Sequence, residues 1–283
     1  MTREDNVRIF EDTVDFCRET PRLSECIKYG RENQSLFLES DSVPSGKGIE
    51  RFSETKIIVS KKRSFEAASF YARNGSKVCV LNFASASNPG GGVVNGSRAQ
   101  EESLCRISTL YFCLDTDEMW EKFYSPHREN PNPLHNDDAI FTPNVTVFKD
   151  DTNYPRLMDE KDWFSVDVIT CAAPNLRAHP SNRYNSGDGD LQKKISDEDL
   201  KKIHEKRGRR ILDIAAMKGA EVVILGAFGC GAFENNPKVV ADALVPLAKE
   251  YSRTFRQIEF AVFCPPHDDT NYLAFKDSLE RVE

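Results

Sequence analysis

The sequence predicts an α/β fold, and three observations carry that reading. Short apolar runs of strand character recur at residues 78–83, 166–171, 221–227 and 257–264. Longer segments with helical spacing separate them, the alternation expected of a layered sheet and its crossover helices. Two of the runs lead through glycine-rich turns into a helix, the joint at which such folds place their ligands. A chain of 283 residues can bury one substantial core. The expected division is a helical annex and linker over 1–48 and a catalytic domain over 49–283.

Residues 1–40 read as helical, with Val7, Ile9, Phe10, Val14 and Phe16 on an amphipathic stretch that Pro21 interrupts. Residues 39–48, rich in Ser, Pro and Gly, read as the linker. A short strand follows at 56–60, then a helix from Ser64 through Tyr71, with Phe65, Ala68 and Phe70 toward the core and a stop at Asn74 and Gly75. The strand at 78–83 enters the first glycine turn and a helix that opens on Glu101 and Glu102. Residues 115–138, with Pro126, Pro131 and Pro133, read as loop-rich. Residues 139–148 are expected to be extended, with a break at Pro143. Beyond the strand at 166–171, residues 178–190 carry too few apolar side chains to pack and read as a mobile surface loop, either a lid or a plain connection. Ser196 and Asp199 form a capping signature for a helix to Met217, on which Lys206, Arg207, Arg209 and Arg210 read as a solvated face, with one arginine available to a ligand phosphate. A helix over 270–279 closes the chain.

Composition excludes several classes. A net charge of -7 argues against the counterion-releasing grip that nucleic acid requires, so no direct DNA binding is expected, and an anionic ligand would need a local site. No apolar run approaches membrane-spanning length, and the charged start lacks a secretory segment. The eight cysteines show no C-x-x-C pair and read as reduced, mostly buried thiols. A soluble protein of the cytoplasm, or the nucleus in a eukaryote, is the expectation. His204 and Glu205 start an H-E pair, but Gly208 stands where a second histidine would be needed, so neither metal nor other cofactor is expected.

Two motifs carry chemistry. The first is Asn88, Pro89, Gly90, Gly91, Gly92 and, after a spacer, Gln100, Glu101, Glu102. Consecutive glycines permit positive φ and leave no Cβ between backbone and ligand, although a plain turn and ordinary acidic enrichment of a first helical turn would look similar. The second is the loop Gly229, Cys230, Gly231, Ala232, Phe233, set ahead of the cap Asn236 and Pro237 at a helix start. Backbone N–H groups in such a nest, beside a helix N-terminus, can hold a diphosphate with little side-chain charge.

Together the motifs resemble the signature of the compact, bacterial-type poly(ADP-ribose) glycohydrolases. The similarity extends over about residues 3–283 through VTVFKD at 145–150, ITCAAPN at 169–175, ILDIAA at 211–216 and GAFGCGAFENNP at 226–237. The resemblance implies a macrodomain-like three-layer α/β/α fold with a mixed sheet, and ADP-ribose lying across both glycine loops. It implies Glu102 as catalytic acid, Glu101 on ribose hydroxyls and Asn88 at the scissile ribose. Gly90, Gly91, Gly92 and Gln100 would border that sugar, Gly229–Phe233 would hold the diphosphate, and Phe233 would stack on the adenosine side. The substrate would be poly(ADP-ribose) or an ADP-ribosylated protein, and the product ADP-ribose, released from chain ends.

Hydrolysis of a ribose–ribose bond needs a proton on the leaving oxygen. Adjacent glutamates approach one side of a sugar, which suits one acid and one orienting ligand better than the opposed carboxyls of most glycosidases. Repulsion and burial would raise the acid's pKa and a helix start would lower it, with the balance open. A mono-ADP-ribosyl hydrolase is the alternative enzyme, and a non-catalytic ADP-ribose reader, which would lack the paired glutamates, is the alternative outside catalysis.

Overall fold

The computed structural model describes residues 1–183 and 186–282. Two helices, α1 (Arg3–Glu19) and α2 (Pro21–Glu32), meet at Thr20, and Pro21 sits where a missing N–H is harmless, at the first turn of α2. The next residues depart from the helical expectation. Ser35–Phe37 form β1, a three-residue edge strand made by antiparallel pairing with β4 (Ala139–Val147), a contact too brief to leave a period in the sequence.

Next come β2 (Lys56–Ser60), α3 (Ser64–Arg73), β3 (Val78–Phe83) and α4 (Gln100–Ile107). On α3 Phe65 and Ala68 are buried as expected, but Phe70 is 62% exposed: five residues from Phe65 lies on the opposite side of a helix. After α5 (Leu110–Leu114), the first half of the region read as loop-rich is helical, with α6 (Asp117–Met119), a π-turn (Trp120–Tyr124) and α7 (Ser125–Glu129), Pro126 being accommodated at the start of α7, while 130–138 hold neither helix nor strand, as expected. β4 bulges between Thr142 and Val145, around Pro143, with Asn144 at φ 56°. The remaining elements are β5 (Phe164–Cys171), α8 (Asp197–Met217), β6 (Val222–Leu225), α9 (Pro237–Lys249), β7 (Gln257–Ala261) and α10 (Thr270–Val282).

Among the described residues the strands form one seven-stranded mixed sheet in the order β1-β4-β5-β3-β6-β7-β2, parallel from β5 to β2 and antiparallel at β4 and β1. Strand alternation divides the core: Val78, Val80, Val222 and Ile224 pack with Phe10 of α1, Phe65 of α3 and Leu104 of α4, whereas Cys79, Leu81, Val223 and Leu225 pack with α8 and α9. The linker is also fastened, since Gly46 N–H donates to Asp213 (2.7 Å) and its carbonyl accepts from Thr254.

The basic run on α8 is only partly the solvated face expected: Lys206 is exposed and Arg209 and Arg210 are half-buried, but Arg207 belongs to the interior. Arg207 is buried and donates to Asp137, Ala172 O and Leu134 O, while Lys206, Arg209 and Arg210 engage Glu39, Glu250 and the Leu38 and Asp41 carbonyls. None of the four lines the cleft at the strand ends. Within the 178–190 tract, Tyr184 and Asn185 lie outside the described residues, while Asp188 is buried and accepts from Ser87 Oγ (2.6 Å) and Asn175 Nδ2 (2.8 Å). The eight cysteines are free thiols, and no described helix is long and apolar enough to cross a membrane.

Candidate active site

The C-terminal ends of β3, β5, β6 and β7 open into a cleft of about 1390 Å³. This is where a parallel sheet leaves strand-end backbone available to a ligand.

On one side stands the head of α4. Glu101 and Glu102 are 2% and 6% exposed. Glu101 accepts a hydrogen bond at each oxygen, Oε1 from Asn82 Nδ2 (3.1 Å) and Oε2 from Ser85 N–H (2.7 Å). Glu102 differs: Oε1 accepts from Gly92 N–H (2.9 Å), but its buried Oε2 has no hydrogen-bond partner among the described residues. Burial is the main force on both and raises both pKa values, reinforced at Glu101 by the neighbouring Glu102 carboxyl. Backbone donors and, at Glu102, the Arg106 charge one turn along α4 oppose the rise without cancelling it. A carboxyl whose pKa is raised by burial, with one oxygen that no described residue engages, is suited to general-acid chemistry.

The three glycines of the first motif do different things. Gly90 and Gly91 have φ 66° and 58°, and a Cβ on Gly91 would stand 2.7 Å from Glu102 Oε1 and 3.1 Å from Glu101 Oε2. Gly92 has φ −99°, which any residue adopts, and its contribution is the N–H that holds Glu102. Gln100, grouped from the sequence with substrate-contacting residues, uses its amide within the fold. It accepts from Phe83 N–H (2.9 Å) and donates to Leu81 O (2.8 Å) and Ser64 Oγ (3.0 Å), setting α4 against the end of β3. Asn88 does not line the cleft: Nδ2 donates to Ser186 O (2.6 Å) and Oδ1 accepts from Arg128 (3.0 Å).

Across the cleft the loop after β6 is built from backbone. Among the described residues, the N–H groups of Gly229, Gly231, Ala232 and Phe233 donate to no protein acceptor, whereas those of Cys230, Glu234 and Asn235 close the turn on Ala227, Gly231 and Gly229. Gly229 is sterically required, at φ 81° with its Cβ position 2.7 Å from Ala173 Cβ. Gly231 is not, since its φ is ordinary and its Cβ position meets nothing within 4 Å. Phe233 lies between the Arg177 guanidinium (5.7 Å) and the His135 ring (5.9 Å).

The sequence reading missed the supports. Asn235 is buried and donates to Pro174 O (2.6 Å) and Phe233 O (3.1 Å), so its Oδ1 accepts from His204 Nε2 (2.8 Å). Burial lowers the pKa of His204 to about 4, consistent with a neutral ring. Asn82, the last polar residue of β3, and Asn235 were both visible as asparagines beside a glycine loop; nothing in their spacing marked which partner each would take. The structure thus brings Gly91, Gln100, Glu101 and Glu102 together with Gly229, Cys230, Gly231, Ala232 and Phe233 along one cleft, whose lining does not include Asn88, Gly90 or Gly92. Among the described residues no cluster of His, Cys, Asp and Glu is arranged to hold a metal.

Comparisons with known proteins agree with this geometry. The family described as "Microbial-type PARG, catalytic domain" matches residues 10–150. The poly(ADP-ribose) glycohydrolase of Thermomonospora curvata bound to the inhibitor ADP-HPD superposes with a TM-score of 0.79 at 27% identity, covering 97% of this chain and 99% of that one. The poly(ADP-ribose) glycohydrolase of Deinococcus radiodurans in complex with ADP-ribose superposes with a TM-score of 0.74 at 30% identity, covering 90% of this chain and 97% of that one. No curated protein sequence matches the chain.

Proposed function

The chain belongs to the microbial-type poly(ADP-ribose) glycohydrolases, with their macrodomain-like fold, and from that premise we propose how its residues divide the work. It hydrolyses poly(ADP-ribose) to ADP-ribose. The observation that carries the assignment of roles is the uncommitted Glu102 Oε2 in the same cleft as four unused N–H groups. The diphosphate of one ADP-ribose unit rests on the N–H groups of Gly229, Gly231, Ala232 and Phe233, with Phe233 against the adenosine side. Its distal ribose then reaches the head of α4.

There the glutamates separate into two roles. Glu101, held by Asn82 and Ser85, keeps spare lone pairs for ribose hydroxyls and orients the sugar. Glu102 gives its Oε2 proton to the oxygen leaving C1 as the ring gains oxocarbenium character. The resulting carboxylate is stabilised by Gly92 N–H and Arg106, and takes a proton from the attacking water. Asn88 would reach the sugar only by exchanging its bond to Ser186. The chemistry uses protein carboxyls alone, so we expect no cofactor.

Glu102→Gln keeps the shape and the Gly92 contact but has no transferable proton. Turnover is expected to fall by roughly 10²–10⁴-fold with ADP-ribose affinity retained, and wild-type turnover would overturn the assignment. We further infer action at chain ends, because the cleft takes in one whole terminal unit. Chromatography of a length-defined polymer on a labelled acceptor should show ADP-ribose first and a persistent protein-linked unit. Early medium-length fragments would defeat chain-end action, and prompt loss of the last unit would favour the mono-ADP-ribosyl reading. The free thiols fit a reducing compartment, cytoplasm or nucleus, and the acidic net charge fits a protein that does not bind DNA directly.

A further inference from the structure

The cleft gathers arginines although the protein is acidic, and they stand beside the carboxyls of Glu101, Glu102, Asp151 and Asp268. Despite a net charge of -7, its lining includes Arg3, Arg63, Arg98, Arg106 and Arg177. Elsewhere arginines pair with carboxylates, as Arg209 does with Glu250 and Arg253 with Glu50. Here Arg98 donates to Met1 O and Arg63 to Asn153 Oδ1 (2.5 Å), both neutral oxygens, while Arg106 donates to Ser97 O (2.5 Å) and its charge acts on Glu102. Arg63 and Arg98 make no ion pair among the described residues. Arg63 stands near the buried Asp151 carboxyl, whereas the Arg98 charge is oriented by a neutral carbonyl, the condition for receiving an external anion.

Position says which anion. The Gly229–Phe233 loop rests on Ala173 and Asn235, beside α8 and α9 on one face of the sheet. Arg98 directly precedes α4 on the other face, where the Gly96–Arg98 turn is pinned to α1 through Asn6 Nδ2 and Gly96 O (3.0 Å). Glu102 must touch the departing oxygen. What hangs from that oxygen therefore leaves on the Glu102 side of the cleft, away from the loop that holds the first diphosphate. In a polymer that object is the penultimate unit, with a diphosphate of its own.

We propose that Arg98 forms a second phosphate subsite for the diphosphate of the departing ADP-ribose unit, and so favours polymer over a protein-linked single unit. The proposal rests on the glycohydrolase reading above. A guanidinium fork suits a phosphate, and a rim charge of this kind acts on capture of the substrate and its salt dependence more than on the chemical step.

The test uses two substrates on the full-length protein: length-defined poly(ADP-ribose), and ADP-ribose with a nitrophenyl group on its distal ribose, which lacks a second diphosphate. Arg98→Glu should lower kcat/KM on polymer by roughly tenfold at low salt and flatten its salt dependence by about one contact. Arg98→Lys should retain most of the polymer rate. Both variants should cleave the nitrophenyl substrate within about twofold of wild type and bind ADP-ribose unchanged. Equal losses on the two substrates, or an unaltered polymer rate in Arg98→Glu, would overturn the subsite. A wild-type protein that cleaved neither substrate would instead overturn the glycohydrolase reading.

Discussion

The two glycine loops face each other across one cleft and are built on opposite plans. The loop before α4 is saturated: Asn82, Ser85 and Gly92 commit three of the four carboxylate oxygens of Glu101 and Glu102, and Gly91 fits only because it lacks a Cβ. The loop before α9 leaves four N–H groups unused and takes its rigidity from behind, through Asn235 and His204. A proton-transferring group must be held within tenths of an ångström, so its surroundings are spent on it. A diphosphate needs donors that no protein acceptor has claimed. Glycine serves clearance in both loops, at Gly91 and at Gly229, but the backbone it exposes is spent on Glu102 in the first and left open in the second.

The sharpest way to break this comparison is Gly91→Ala. At φ 58°, with the new Cβ 2.7 Å from Glu102 Oε1, it should displace the acid and lower kcat by about 10²-fold with a smaller change in KM. A normal kcat would mean that the carboxyls tolerate movement and the saturated plan is irrelevant. Gly229→Ala should act on binding instead. Its Cβ would meet Ala173 at 2.7 Å, so calorimetry on the folded variant should show ADP-ribose affinity reduced by roughly tenfold or more, and unchanged affinity would detach the loop from the diphosphate.

The support behind the second loop should show itself through pH. His204 titrates near 4 in the folded protein against 6.5 for an ordinary histidine, so the unfolded chain binds the extra proton between those values. Stability is therefore present above pH 6.5 and is lost as pH falls toward 4, by about 3 kcal/mol from this group. Denaturant titrations across that window should lose this part of the slope in His204→Leu; an unchanged slope would show that His204 does not carry it. The smallest effect is expected at Gly231, where φ is ordinary and the Cβ position is open. Gly231→Ala should change affinity less than about threefold, and a large loss would show that the ligand presses on this residue.

Sequence alone determined the order of strands and helices wherever a run was long or its boundary chemical. Ser196, Asn236 with Pro237, and Gly75 mark their helix ends because capping acts between neighbours in the chain. It also located both motifs, since a strand, a glycine turn and a helix start are contiguous. Tertiary structure decided what depends on residues distant in sequence. β1 exists because β4 lies beside it, Arg207 is buried because Asp137 and Ala172 O await it, and Gln100 is a clamp because the Leu81 carbonyl and Phe83 N–H are within its reach. The division between Glu101 and Glu102 is of the same kind. As consecutive residues of the same type they were indistinguishable by composition, and only the donors converging on Glu101 from β3 and the loop after it left the free oxygen to Glu102. Hydrogen-bond supply is a property of the folded neighbourhood, which local sequence does not encode.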